Sequence, residues 1–285
     1  MINIISAFSK RGNKYNEDSF IYSDNSFVVV DGATGLNGIK LTSSETDAAW
    51  LAKRICDLLR KDLMDSSNSI NKILKKEANI IKSELDNLGY KQFKHSNIYP
   101  SACVSIVRIN GKNLECYTLG DSPILILKKN NELISLYDNS VEKMDKKVLS
   151  QMINLRRRTG CDISYARQYQ SINNMLIENR LKMNTKKSYY IFEPTGQGID
   201  HIKKTIIPLS EILAFTLMTD GFYSVLSTYN IVKTNEDLML RLLEGNALQL
   251  FNNIKFLSSS DITFNKYPRF KPIDDATVIV AKNIN

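Results

Sequence analysis

The sequence predicts an α+β fold in which stacked antiparallel sheets are covered by helices. Three observations point there: strand-like segments dominate both ends of the chain, two amphipathic helical segments lie early, and a helical, basic stretch fills the middle. No Gly/Ser-rich or Pro-rich linker and no internal repeat interrupts it. A single domain over residues 1–285 is expected, with residues 139–187 as a helical basic insertion.

Ile2 to Phe8 reads as a strand, Ser9 to Asn13 as a polar loop and Ser19 to Ser23 as a second strand. After the turn chemistry of Asp24-Asn25, Phe27 to Val30 reads as a strand buried on both faces. These three segments are expected to form an antiparallel start. Thr42-Ser43-Ser44-Glu45 fits a capping box ahead of the stripe Leu51, Ile55, Leu58 and Leu59. A second helix is expected from Asn68 to Leu88, stopped by Gly89. Asn110-Gly111 predicts a hairpin between Cys103–Arg108 and Asn113–Leu119. Gly120-Asp121-Ser122 breaks that second strand, Ile124 to Leu127 resumes it, and Leu133 to Tyr137 follows. The pattern is helical from Asn139 to Asn184, with an interruption near Thr159-Gly160. Strands are expected at Ser188–Phe192, Ile202–Ile207 and Ile212–Thr219. A helix capped by Asn235, another over Leu248–Phe256 and a last strand at Ala276–Ala281 complete the chain.

Hydrophobic residues make up 43% of the chain and charged residues 24%, a balance that supports an ample globular core. Cys56, Cys103, Cys116 and Cys161 are scattered, which fits a reducing compartment. The apolar start lacks the charged-then-apolar order of a signal peptide, and no run of about 18 apolar residues is present. A cytoplasmic protein without a membrane partner is expected. The net charge of +8 is concentrated: residues 143–187 hold eleven Lys and Arg against three acids, and the remainder is balanced. Such a segment is either a solvated helix face or a surface for acidic or phosphorylated partners.

The chemistry lies in the acids. The Val28–Val30 strand ends on Asp31-Gly32, and the Ile212–Thr219 strand ends on Asp220-Gly221. A charge at the end of a buried strand is costly unless it is paired or holds a cation. Two such strands suggest carboxylates meeting at one end of a sheet. Glu17-Asp18, Asp121 and Asp274-Asp275 also stand where a strand ends or a turn begins. Any one Asp-Gly is ordinarily a turn, so the set carries the inference. Carboxylates without clustered His or Cys suit Mg²⁺ or Mn²⁺ rather than Zn²⁺, and would repel one another unless cations held them.

In order, Asn16-Glu17-Asp18, Val30-Asp31-Gly32-x-x-Gly35, Leu119-Gly120-Asp121-Ser122, Met218-Thr219-Asp220-Gly221 and Asp274-Asp275-Ala276-Thr277-Val278-Ile279-Val280 resemble the successive motifs of the metal-dependent PP2C (PPM) protein phosphatases, in their bacterial form. The resemblance spans residues 16 to 280. It implies a central β-sandwich flanked by helices, α-β-β-α, with a dinuclear metal site at one end. It also implies a phosphoserine/phosphothreonine protein phosphatase using two or three Mn²⁺ or Mg²⁺ ions and in-line attack by a metal-bridging hydroxide. Matched position by position, Asp31 resembles the carboxylate shared by both metals. Glu17 and the carbonyl of Gly32 would complete one metal, and Asp220 and Asp274 would hold the other. Asp121 matches a position that binds a third ion together with Asp220. Asp18 matches an outer acid that orients the attacking water. Two cations about 4 Å apart can bring a shared water's pKa near neutrality and offset charge on the phosphoryl oxygens, so no covalent phosphoenzyme is required.

Three positions depart from the family pattern. Its phosphate-binding arginine, four residues before the first acid, is Asn13 here, which leaves Arg11 or Lys14 as nearby substitutes for phosphate binding. Its Asp-Gly-His-Gly-Gly reads Asp31-Gly32-Ala33-Thr34-Gly35, without the histidine, and its closing Asp-Asn reads Asp274-Asp275. None of the three removes an implied metal ligand. The loss at Asn13 keeps a catalytically weak regulatory binding module open, and a hydrolase of a small phosphorylated molecule is the other alternative. The basic segment 143–187 occupies the interval of the family's variable flap. Arg156-Arg157-Arg158 and Arg180 are thus candidates for steering a phosphorylated protein, with docking of another partner as the alternative. Nucleic acid is not favoured, because Trp50 and the tyrosines read as packing residues. Cys161 and Arg167 have the spacing of cysteine phosphatases, but no glycine lies between them and Asp162 would raise the thiol pKa. His95 and His201 lack metal-ligand spacing and read as surface residues.

Overall fold

The computed structural model describes residues 1–33, 35, 38–93, 99–186 and 188–284, so Thr34, His95 and Lys187 lie outside the described residues. The strands are β1 (Ile2–Lys10), β2 (Asp18–Tyr22), β3 (Ser26–Ala33), β4 (Ser101–Asn110), β5 (Asn113–Leu119), β6 (Ile124–Lys128), β7 (Leu133–Leu136), β8 (Lys203–Pro208), β9 (Ile212–Met218) and β10 (Ala276–Asn283). The helices are α1 (Asp47–Asp62), α2 (Ile70–Asn87), α3 (Ser140–Thr159), α4 (Ile163–Ala166), α5 (Gln170–Leu181), α6 (Asp220–Ser227), α7 (Asn235–Leu243) and α8 (Ala247–Ser260). Two antiparallel five-stranded sheets result, in the orders β1-β10-β9-β6-β7 and β2-β3-β4-β5-β8.

Period-two alternation sorts the strand side chains into layers. In β3, Phe27 and Val29 face the other sheet, while Val28 and Val30 pack with Leu51, Ile55, Ile73 and Ile81 of α1 and α2. In β10, Ile279 and Ala281 face inward, while Val278 and Val280 meet Phe222, Leu242 and Phe251 of α6, α7 and α8. Phe27 and Phe215 cross between the sheets edge to face, with centroids 5.0 Å apart. The order of layers is therefore helices, sheet, sheet, helices. The inserted helices α3, α4 and α5 close over a separate small core of Val148, Met152, Ile163, Ala166 and Ile172. No helix among the described residues is long and apolar enough to cross a membrane.

Several sequence expectations are corrected. β1 does not join β2 and β3; it pairs with β10 from the far end of the chain. β6 does not resume β5, because the Gly120–Pro123 break carries the chain across to the other sheet. The two strands ending in Asp-Gly accordingly lie in facing sheets rather than in one. The capping residue of α1 is Thr46, which accepts from the Ala49 amide, and not Thr42. Thr42 instead donates its hydroxyl to Asp47 in the first helical turn. Ser188–Phe192 is not a strand: only Phe192 bridges to Ala102, and the Ile191 amide is taken by the Asn184 side chain. Asp220–Ser227, unassigned from the sequence, is helical.

Candidate metal centre

At one end of the sandwich the layer between the sheets turns from apolar to polar. The inward stripe of β3 runs Phe27, Val29, Asp31, so Asp31 continues the core face beyond its last valine. Asp31 pairs opposite Asp18 of β2 on one side and Cys103 of β4 on the other, giving one row across three strands. Like charges placed directly opposite are destabilising on their own. The facing sheet answers this row. The Thr219 hydroxyl accepts from the Thr277 amide at 3.0 Å, which leaves its proton for Asp18 Oδ2 at 2.9 Å. Thr277 Oγ1 lies 2.8 Å from the same oxygen.

Asp220 and Asp274 arrive from that facing sheet, at the end of β9 and the start of β10. Gly221 permits this meeting: a Cβ there would sit 1.8 Å from the Asp275 carbonyl oxygen. Gly32 serves β3 in the same way, since a Cβ would fall 2.6 Å from the Glu17 carbonyl oxygen and 2.8 Å from that of Ala48. Its amide donates to the Glu17 carbonyl at 3.1 Å, so Glu17 and Asp31 are neighbours. Glu17 is buried, at 7% exposure. Asp275, the acid that replaces an amide, is a brace. Its two oxygens accept from the amides of Gly12 and Glu17, each at 2.7 Å. Asp121, between β5 and β6, accepts from the Cys103 thiol at 3.2 Å.

The electrostatics follow from this gathering. Burial, then repulsion from Asp220, Asp18, Asp274 and Asp121, holds the Asp31 carboxyl well above its ordinary range. Asp18 and Asp121 are raised in the same way, burial first, with Asp274 and Asp220 respectively adding repulsion. Asp274 is pushed up to about 6 by burial and Asp220, against the opposing pull of Lys271. Oxygen-only donors that repel one another in a half-buried place are the chemistry of a hard-cation site. Among the described residues, no group of three or more His, Cys, Asp or Glu is already arranged to hold a metal ion. The acids converge without closing on one point, and the Lys271 ammonium lies 2.5 Å from Asp274 Oδ1.

Two participants were not visible as motifs. Asp145, on α3 of the insertion, is pushed up to about 7 by burial and by Asp220, while Arg180 of α5 opposes the shift. The insertion therefore reaches the acids from above. Lys271 is the other, and no strand or helix pattern marks its loop. Of the cations expected near phosphate, Arg11 is exposed and Lys14 lays its ammonium over the Tyr15 ring, 4.8 Å from the centroid. Arg156, Arg157 and Arg158 are exposed at the far end of α3.

Comparison with known proteins agrees with this architecture. The family profile described as Protein phosphatase 2C matches residues 9–251. No curated protein sequence matches the chain significantly. Among solved structures, the serine/threonine phosphatase Stp1 from Staphylococcus aureus superposes with a TM-score of 0.55 at 17% identity, covering 100% of this chain and 96% of that one. The Mycobacterium tuberculosis serine/threonine phosphatase PstP/Ppp gives 0.53 at 15% identity, covering 99% and 98%. The catalytic domain of PstP in complex with two manganese ions gives 0.54 at 14% identity, covering 100% and 99%. At these identities the structural likeness speaks for the fold, and the profile match, which spans most of the chain, speaks for kinship. The chain belongs to the protein phosphatase 2C family.

Proposed function

We propose that this protein is a metal-dependent phosphoserine/phosphothreonine protein phosphatase. The observation that carries the reading is the convergence of Asp18, Asp31, Asp121, Asp220 and Asp274, drawn from both sheets, at one end of the sandwich. Asp31, Glu17 and the Gly32 carbonyl would hold one Mn²⁺ or Mg²⁺, Asp220 and Asp274 a second, and Asp121 with Asp220 a third. Bound divalent ions would supply an acidified water and charge neutralisation at the phosphoryl group. Asp18 is fixed by Thr219 and Thr277, so one carboxylate oxygen is committed to those hydroxyls and the other can orient water. The β-strand walls keep the acids from rearranging, which preorganises the site for charge developing on phosphorus.

A phosphorylated protein is the substrate this surface suits. Asp145 and Arg180 link the insertion to the acids, so a chain docked on its basic face would present its phosphoresidue at the cluster. The test is hydrolysis of an aryl phosphate with Mn²⁺, after chelation, and in Asp31→Ala. Turnover that needs Mn²⁺ and falls at least about a hundredfold in Asp31→Ala supports the reading. Absent turnover in the wild type would favour the regulatory binding module that Asn13 keeps open. A phosphopeptide panel set against small phosphate esters then decides between a protein substrate and a small one.

A further inference from the structure

A phosphomonoester dianion approaching five carboxylates needs a cation of the protein's own to meet it. The segment with Asn13 is stitched to the segment just before β10. The Asn13 side-chain amide donates to the Ile273 carbonyl at 2.8 Å, and the Gly12 amide donates to Asp275 Oδ1 at 2.7 Å. A Cβ at Gly12 would sit 2.2 Å from the Asp274 carbonyl oxygen. A side chain from position 13 and one from position 271 therefore open onto the same corner of the site. Lys271 already points there, with its ammonium on Asp274 Oδ1 at 2.5 Å and in the field of Asp220 and Asp31. Its side chain is 35% exposed, so it stands at the mouth and not beneath the acids.

We propose that Lys271 is the phosphate-binding cation of this site, supplied from the loop before β10 where position 13 carries an amide. The proposal rests on the phosphatase reading above. An ammonium offers three donors on a flexible stem: one holds Asp274, and two are left for phosphoryl oxygens. Arg11 and Lys14 then have no part in gripping phosphate.

The test compares wild type, Lys271→Met and Lys271→Arg, each loaded with Mn²⁺. Orthophosphate is titrated calorimetrically, its inhibition of aryl phosphate hydrolysis is measured, and Mn²⁺ affinity is titrated separately. Lys271→Met is expected to weaken orthophosphate binding and raise KM by about ten- to hundredfold, the worth of a charged hydrogen bond. Mn²⁺ affinity should hold or tighten, and Lys271→Arg should recover most of the loss. Unchanged orthophosphate affinity with only Mn²⁺ affinity altered overturns the proposal, because Lys271 is then a counter-ion of Asp274 alone. Lys271→Gln repeats the comparison if the Met variant melts early. A wild type that hydrolyses no ester would defeat the phosphatase reading, while the orthophosphate titration would still decide on Lys271.

Discussion

Carboxyls buried at the open end of the sandwich keep their protons to higher pH than they would in water, which ties stability to pH. Asp274 titrates near about 6 and Asp145 near about 7 in the fold, both above the unfolded value. For a raised pKa the contribution to stability is fully present below the ordinary carboxyl range and is lost as pH rises through the folded value. The metal-free protein should therefore lose melting temperature between about pH 4 and 7. Asp145→Asn should flatten the upper part of that fall, and Mn²⁺ should offset it by binding the ionised acids. A metal-free melting curve indifferent to pH over that range would contradict the assignment. Glu77 of α2 is a separate case. It is fully buried, neither carboxylate oxygen has a hydrogen-bond partner among the described residues, and burial pushes it up to about 9. Glu77→Met should stabilise the protein at neutral pH by roughly 1–3 kcal/mol in denaturant unfolding, the cost of an unsatisfied buried polar group. A loss of stability would show that the carboxyl is satisfied by water. Asp31 and Asp220 were legible in the sequence because a charge closing an apolar run stands out. Asp145 and Lys271 were not, since a polar residue on a helix or loop is the ordinary case and Asp220, the acid both approach, lies far away in the chain.

The elements explain how a basic insertion can serve an acidic site. In α3, Asp145 and Arg156 are eleven residues apart, which is three turns, so they share a stripe about 16 Å apart along the axis. The helix runs from the acids to the exposed Arg156–Arg158 triplet. Reversing the three charges to Glu should lower kcat/KM on an acidic phosphoprotein about tenfold, less at high salt, with aryl phosphate turnover unchanged. Equal losses on both substrates would mean that the variant disturbs the site itself. Strand and helix positions were largely readable from periodicity, as in Asn110-Gly111 and the α2 stripe. Sheet membership was not, because β1 finds its partner in β10 and no local signal encodes a pairing across the whole chain. Ser188–Phe192 misled because Tyr189 and Ile191 are buried in a small cluster with Cys103 and Met183, and Phe192 in the core beneath α1 and α2, and not by a ladder.

At the scale of the whole molecule, the site is a seam between two sheets. Asp31 and Glu17 belong to one sheet and its approach, and Asp220 and Asp274 to the other. Apolar contacts such as Phe27 against Phe215 set the spacing of that seam. Phe27→Ala should cost about 3–5 kcal/mol and weaken metal affinity with it, although the ring lies in the core and outside the acid row. Ions bound between the sheets would join them, so metal and folding should be linked. The most direct test of the account is a calorimetric Mn²⁺ titration of the wild type and Asp31→Asn. Two or three ions per wild-type chain, with the tight sites lost in Asp31→Asn, is the result predicted. The same stoichiometry and affinity in both proteins would contradict a shared metal centre at Asp31.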